Sequence, residues 1–315
     1  MSHQSVSVPG DCNGMRLDRF LVSVLPSRSR SQIQRLIERG LVQVDGRPSK
    51  ANQPVKLGQQ VSVELPAPSE AALGPEPLPL SIVYQDSDIV VVDKPAGMVV
   101  HPAAGHASGT LVNALLHHVE DLSGIGEEKR PGIVHRLDRG TSGLMGVAKH
   151  DLAHDELARQ FRDREVEKEY VALVWGEVQA GRRIDAPIGR DPASRKKMSV
   201  RARRSREAVT RIVRAERLTP ALTLVRVAIH TGRTHQIRVH LSAIGHPIVG
   251  DALYGGLRRR VPGDLRAVTH LQRPFLHAAR LAFRHPVDHR KMEFTSELPE
   301  DLRQVLDDLP QTRRA

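Results

Sequence analysis

The residues His135-Arg136-Leu137-Asp138-Arg139-Gly140-Thr141-Ser142-Gly143 set one carboxylate between two arginines and follow it with a glycine-flanked polar turn. A carboxylate so placed has two readings, a catalytic group or the structural partner of an arginine, and functional residues concentrate on loops held by rigid scaffolds. Other chemistries find less support. Sixteen histidines invite a metal site, but His230, His235 and His240 are five apart and share no helix face, and the single cysteine, Cys12, cannot build a thiolate site. No metal is therefore expected. No Walker loop and no G-x-G-x-x-G after a strand is present, so no nucleotide cofactor is expected either. Ser142 lies in Thr-Ser-Gly rather than in a G-x-S-x-G elbow, and reads as a turn-making serine.

The elements around Asp138 read as its support. Pro131 to Val134 is short and broken by Gly and Pro, and Leu144-Met145-Gly146-Val147-Ala148 reads as a buried strand, so Asp138 lies on a loop between core elements. Ile82-Val83-Tyr84, a turn at Asp86 to Asp88 and Ile89 to Pro95 predict a hairpin. Helices are predicted over Thr110 to His118, over Asp151 to Arg164, and from Thr234, as N-cap, through Ala243. Glu169 to Gly176, Thr223 to Ile229, Leu281 to Phe283 and Met292 to Phe294 predict strands. Helices interspersed without regular alternation argue for an α+β domain with a mixed, mainly antiparallel sheet.

Residues 1–14 read as a polar lead-in. From Met15, Leu17, Leu21, Val24 and Leu25 recur at helical spacing, and a second helix follows with Ser29 as N-cap, Gln32 completing a capping box and Gly40 past its end. Arg28, Arg35 and Arg39 fall on one side of it, a guanidinium stripe that could grip successive phosphates; a solvated basic face would have the same pattern. Leu41 to Val44 with Asp45-Gly46 predicts a strand entering a tight hairpin, and Val61, Val63 and Leu65 alternate as a later strand. Between Met15 and Leu65 nine basic residues stand against four acidic ones. Pro66, Pro68, Pro75, Pro77 and Pro79 mark a linker over 66–79. The second domain spans 80–298, and 299–315 is a C-terminal tail with a short helix.

The formal net charge of +11 favours a polyanionic partner, because neutralising phosphates releases counterions. At 3% aromatic residues there is little surface for stacking extended single strands. One cysteine suits a reducing cytoplasm, and no apolar run reaches membrane-span length. The expectation is a cytoplasmic, non-membrane monomer.

The basic helix-helix-hairpin unit over 15–65 resembles the S4-type RNA-binding domain, whose second helix and following strand grip structured RNA. His135-Arg136-Leu137-Asp138 with Thr141-Ser142-Gly143-Leu144 resembles the catalytic motif of the RluA family of RNA pseudouridine synthases. Asp93 to Pro102, Lys168-Glu169-Tyr170, Thr231 to His240 and Leu276-His277-Ala278 match family segments in the same order. The resemblance covers roughly residues 80 to 298.

That resemblance implies isomerisation of uridine to its C-glycoside without cofactor. It makes Asp138 the catalytic aspartate, as nucleophile on the ribose or as base at C2′, ionised in either role and favoured in that state by a nearby arginine. Arg233 matches the family's active-site basic residue that holds the carboxylate; a phosphate contact is its alternative. Tyr170 matches the tyrosine that packs on the target base and assists proton removal at C5, with a plain core tyrosine as the alternative. Leu276 matches an apolar position of the uracil pocket, or is core. The uridine must leave its stack to reach Asp138, and Arg136 matches the residue that fills the vacated space, unless it is a second partner of Asp138.

The S4-like module, His101 to Gly105, Asn113 to Leu116, Pro187 to Arg190 and Gly250-Asp251-Ala252-Leu253-Tyr254-Gly255-Gly256 resemble the branch that modifies the helix 69 stem-loop of 23S rRNA. This implies 23S rRNA, or the assembling large ribosomal subunit, as partner. Arg139-Gly140 departs from that branch, where a Lys-Asp pair is common. The runs Arg195-Lys196-Lys197, Arg203-Arg204 and Arg258-Arg259-Arg260 are expected on RNA phosphates. Two other classes compete: a non-catalytic S4-type RNA chaperone, which intact Asp138, Tyr170 and Arg233 argue against, and a nucleoside hydrolase, which would want a carboxylate pair or a metal.

Overall fold

The computed structural model describes the chain except residues 1, 26–29, 66–73, 103–105, 107, 121, 123–131, 195 and 311–315, and describes only the backbone of residues 2, 3, 30–32, 35 and 65. It divides into two compact units, Met1–Ala72 and Leu73–Ala315.

The first unit carries strands β1 (Ser2–Ser7), β2 (Val42–Val44), β3 (Arg47–Pro48) and β4 (Gln60–Leu65), ordered β1-β4-β2-β3, with helices α1 (Leu17–Val24) and α2 (Arg30–Glu38). Within the lead-in expected over residues 1–14, Ser2–Ser7 is instead a sheet strand. β1 runs antiparallel to β4 with Val6 opposite Val61, and Val8 is buried. Its alternation is carried by Val6 and Val8 alone among polar residues, so its strand character comes from the partner rather than from its own pattern. Asp45 and Gly46 both take positive φ, the two-residue hairpin turn that Asp-Gly encodes. α1 buries Leu17, Phe20 and Leu21, and its Asp18 carboxylate accepts from Arg16 Nε and Nη2 (3.0 and 3.1 Å) and from Gln34 Nε2 (2.9 Å). The Ser29 cap lies outside the described residues, and so does the Gln32 side chain.

The second unit is built on one sheet. Its strands are β5 (Ser81–Gln85), β6 (Ile89–Lys94), β7 (Ser142–Ala148), β8 (Glu167–Trp175), β9 (Arg183–Asp185), β13 (Val209–Thr219), β14 (Leu222–Ile229), β15 (Leu276–Arg284) and β16 (Lys291–Thr295). The order is β5-β6-β7-β15-β8-β14-β13-β9, with β16 on β15; β7 and β15 are parallel and the other pairs antiparallel. The mixed α+β sheet expected from the sequence is present. β6 and β7 are apolar in continuous runs because both faces are covered. Ile89, Val91 and Leu144 pack with Ala153 and Leu157 of α4 (Asp151–Asp163), and Val90, Val92 and Met145 pack on the other face with Leu111 and Leu115 of α3 (Leu111–His118). A smaller sheet of β10 (Ile188–Arg190), β11 (Met198–Ser199) and β12 (Ser205–Arg206), in the order β11-β10-β12, forms a flap between β9 and β13 in sequence.

Two boundaries move. Of the linker, residues 66–73 lie outside the description, but 74–79 are tied to α3: Asn113 Nδ2 donates to Gly74 O (2.9 Å) and Glu76 N–H to Asn113 O (3.0 Å). The described part of the tail also packs into the fold. Helix α6 (Glu300–Asp307), followed by Leu309, places Leu302, Val305 and Leu309 in the main core. Its Asp301 carboxylate takes Arg273 Nε (2.6 Å) and Nη2 (2.8 Å). Among the described residues, no helix is long and apolar enough to cross a membrane.

Candidate active site

Asp138 is held from its own loop, from the sheet and from a helix. The loop is pegged at His135, whose Nε2 accepts the Gly146 N–H (3.0 Å) while the ring stacks on Phe161 at 4.4 Å. Burial, reinforced by the Lys168 ammonium, pushes the His135 pKa down to about 3, so the ring is neutral with its proton on Nδ1. Gly132 O accepts the Ala148 N–H, and a Cβ on Gly132, at φ +71°, would lie 2.1 Å from Ala148 O. After the aspartate, Thr141 N–H closes on Asp138 O (3.0 Å). Gly97 N–H donates to Arg139 O (2.7 Å) and Arg139 Nε returns a bond to Gly97 O (3.0 Å). Arg139 is thus a brace on the 94–98 loop. Gly143, at φ +116°, lets β7 meet β15: a Cβ there would stand 2.4 Å from Ala278 O. Ser142 is buried beside this contact with Oγ 2.9 Å from His277 Nδ1, which closes it to substrate.

The sheet supplies Tyr170 on β8 and Leu276 on β15. Tyr170 pairs with Ala278 and Leu276 with Ala172, so the antiparallel register sends both side chains to the same face. Burial, then the nearby Asp138 charge, raises the Tyr170 phenol above its ordinary range, so it stays protonated at neutral pH.

Helix α5 (Gln236–Ala243) supplies the cation. Arg238 donates Nε and Nη2 to the fully buried Asp251 (2.7 and 2.9 Å) and Nη1 to Asp138 Oδ2 (3.1 Å). Burial works against the guanidinium charge, but the bonds to Asp251 and the charge of Asp138 outweigh it, so its pKa is raised. Arg233 is therefore not the residue that holds Asp138. Its Nε donates to Glu207 O (3.0 Å), because the 231–235 loop turns it along the cleft while the helix aims Arg238 inward. Thr234 is not the helix cap either: His235 takes that position at φ 58°, and the Gln236 side chain secures the loop, accepting from Thr231 Oγ1 (2.7 Å) and Arg233 N–H (3.0 Å).

Arg136, Asp138, Tyr170, Arg233 and Leu276 nonetheless line one open cleft, joined by Ile229, His235 and Arg238. Arg136 is exposed at its mouth. Lys94 is buried behind the loop, its Nζ donating to Pro95 O (2.7 Å) and Met98 O (3.0 Å). Burial and Arg273 push its pKa down to about 8, against the pull of Asp138 and Asp93. The cleft presents a carboxylate with Oδ2 fixed by a guanidinium, between an aromatic ring and an aliphatic wall, which suits a planar base beside a sugar.

Sequence reasoning missed Arg238, Asp251 and His235 as site residues. The available signal was a lone arginine among Ile237, Val239 and Leu241 on a short helix. In the first unit Arg28 lies outside the described residues, Arg35 is described only as backbone on α2, and Arg39 is exposed just past its end. Among the described residues Asp86, Asp88 and His285 bring metal-ligand atoms within 4.8 Å of one another. Asp86 and Asp88 belong to the β5–β6 turn and His285 follows β15, apart from the cleft lining, and the carboxylates are engaged by Tyr84 Oη on Asp86 (2.6 Å) and His150 Nε2 on Asp88 (2.8 Å).

Comparison with known proteins shows the family of the chain. Residues 88–243 match the RNA pseudouridylate synthase family and residues 15–61 the S4 domain. The chain belongs to the RNA pseudouridine synthase family, with an S4 domain at its amino end, and is an isomerase of that class. An uncharacterized RNA pseudouridine synthase of Chloroflexus aurantiacus is 50% identical over 304 residues, covering 96% of this chain and 92% of that one. The ribosomal large subunit pseudouridine synthase D of Pseudomonas aeruginosa is 43% identical over 319 residues, covering 100% and 98%. The solved human RNA Pseudouridylate Synthase Domain Containing 1 superposes with a TM-score of 0.55 at 28% identity, over 75% of this chain and 97% of that one.

Proposed function

We propose that the chain converts uridine to pseudouridine in 23S rRNA, in the helix 69 stem-loop of the large ribosomal subunit, with Asp138 as the catalytic carboxylate. The observation that carries the residue assignment is the Asp251–Arg238–Asp138 chain, which fixes one carboxylate oxygen of Asp138 in an open cleft. Relatives from Pseudomonas aeruginosa and Zymomonas mobilis named ribosomal large subunit pseudouridine synthase D support the rRNA target. The working unit is a single chain in the cytoplasm.

The reaction breaks the N1–C1′ bond, turns the uracil while it stays bound, forms C5–C1′ and transfers the C5 proton away, leaving N1 protonated. It needs no redox change and no phosphate donor. Asp138 serves as nucleophile at C1′ or as base at C2′, and in both roles the Arg238 guanidinium holds its Oδ2 in place. Tyr170 packs on the base as a neutral phenol, Leu276 walls the other side, and Arg136 at the cleft mouth fills the stack that the flipped uridine leaves. Arg233, along the cleft, meets a flanking phosphate. Arg28, Arg35 and Arg39 of the S4 domain bind RNA backbone.

Release of tritium from [5-³H]uridine-labelled 23S rRNA tests the catalytic assignment. Asp138→Asn should abolish release while RNA binding persists; continued release would refute it. Mapping pseudouridines in a strain lacking the gene tests the target: helix 69 should lose them.

A further inference from the structure

Tyr254 joins two parts of the second unit. Its hydroxyl accepts the backbone N–H of Met198 on β11 (2.8 Å) and lies 2.8 Å from His235 Nδ1. His235 Nε2 in turn lies 3.8 Å from Asp138 Oδ2, the oxygen that Arg238 also engages. The protons can be placed by chemistry. A bare Nε2 lone pair facing a carboxylate would be repelled, so the neutral ring carries its proton on Nε2, and Nδ1 must accept from the Tyr254 hydroxyl. The hydroxyl then accepts from the flap and donates its one proton to the histidine.

The surroundings hold this arrangement in place. Asp251 accepts the Tyr254 N–H (3.2 Å), the Arg238 guanidinium lies 5.0 Å from the Tyr254 ring centre, and Tyr254 packs with Met198 and Val200 against a buried cluster of Ile188, Ala208 and Val239. His235 sits at φ 58° and ψ 20°, a left-handed conformation that costs a non-glycine residue energy and aims the ring at Asp138. The flap carries Arg190, Lys196, Arg201, Arg203, Arg204 and Arg206, all exposed.

We propose that Tyr254 and His235 form a positioning relay between the basic flap and Asp138, through which RNA phosphates seated on the flap bring the His235 N–H onto the carboxylate and set it for reaction. The proposal rests on Asp138 being the catalytic carboxylate. The 3.8 Å separation is about 1 Å longer than a hydrogen bond. A movement of β11 reaches that gap through two bonds. Both residues act through Asp138 and are positioning residues.

The groups facing His235 are Asp138, Asp251, Arg238, Arg136 and Tyr254. Burial, with Arg238 and Arg136, lowers its pKa from 6.5 against the pull of Asp138 and Asp251. The relay is therefore intact at neutral pH. It breaks on the acid side, where the imidazolium no longer accepts from Tyr254.

Single-turnover tritium release, RNA binding and a pH profile test this on the full chain. Tyr254→Phe keeps the ring but not the hydroxyl, and should slow the single-turnover rate by roughly ten- to a hundredfold, the usual effect of an ångström of misplacement. RNA affinity should stay within about twofold, and the rate loss should persist at saturating RNA. His235→Gln, which keeps an N–H donor but cannot titrate, should recover more rate than His235→Ala and lose the acid limb that His235 contributes. A wild-type rate in Tyr254→Phe, a rate loss matched by an equal loss of RNA binding, or an unchanged acid limb in His235→Gln would each overturn the relay. Activity in Asp138→Asn would instead overturn the reading of the site. An inactive Asp138→Asn beside an unaffected Tyr254→Phe would leave that reading standing and remove the relay alone.

Discussion

Replacing Arg238 by methionine separates what this residue does for the fold from what it does for Asp138. The side chain is 11% exposed, Asp138 is 19% exposed and Asp251 is 0% exposed. At the 3.1 Å Arg238–Asp138 separation and an effective dielectric constant of about 20, the gross attraction is about 5 kcal/mol. Desolvation offsets much of it, and a charge-assisted hydrogen bond contributes about 1.5–3 kcal/mol net. If the reaction uses that contribution, Arg238→Met should slow single-turnover isomerisation by about ten- to 150-fold. It should also destabilise the second unit by about 3–5 kcal/mol, because Asp251 is left charged, buried and without its partner. For a unit of this size that is a fall of roughly 6–20 °C in melting temperature. The double variant Arg238→Met/Asp251→Asn removes both charges and keeps an oxygen for the N–H groups of Leu253 and Tyr254, which the Asp251 carboxylate now serves. Its stability cost should shrink to about 1–2 kcal/mol while the rate stays low. Melting curves and tritium release on the same preparations decide it. If the double variant regains the wild-type rate along with its stability, the guanidinium is a prop of the fold and its assignment to Asp138 fails.

Gly143→Ala should destabilise the second unit by about 3 kcal/mol or more, since its Cβ would stand 2.4 and 2.6 Å from backbone atoms of Ala278 at a φ of +116°; a urea midpoint equal to wild type would contradict the close β7–β15 approach. Acid should weaken the fold partly through the β5–β6 turn. The hydrogen bond from His150 lowers the Asp88 pKa, and at Asp86 burial raises it but is outweighed by the Tyr84 hydroxyl and the N–H groups of Ile89 and Asp88. A depressed folded pKa means that this stability is complete above the ordinary value of 3.8 and is lost as pH falls through the folded values. Urea midpoints taken from about pH 5 to pH 2.5 should fall, and Asp88→Asn should flatten the slope; parallel curves would remove the turn from the account. In the S4 domain, Arg39→Gln should weaken RNA binding evenly across sequences and reduce the salt slope by about 0.7–0.9, whereas an unchanged slope would take Arg39 off the phosphates.

The sequence alone determined a good deal about this protein, wherever the encoding is local. Asp45-Gly46 encodes its turn because two adjacent positive φ angles favour those residues. β6 and β7 read as buried strands because continuous apolar runs need cover on both faces. The ordered motifs around Asp138, Tyr170 and Leu276 were enough to place three cleft residues that are 32 and 106 positions apart along the chain.

What only the tertiary structure decided depends on distant partners. Arg233 was matched to Asp138 by its place in the Thr231-to-His240 segment, and Arg238, five residues on, was not singled out. The choice is made by Asp251, whose buried carboxylate fixes the Arg238 fork and leaves one nitrogen for Asp138. The same holds for β1, which is a strand because β4 offers an open edge, and for α6, whose Leu302 and Val305 enter a core assembled mostly from elements far upstream. Asp138 itself spans both cases: its loop position is written in the residues beside it, whereas the charge that holds it is delivered by a helix a hundred residues away.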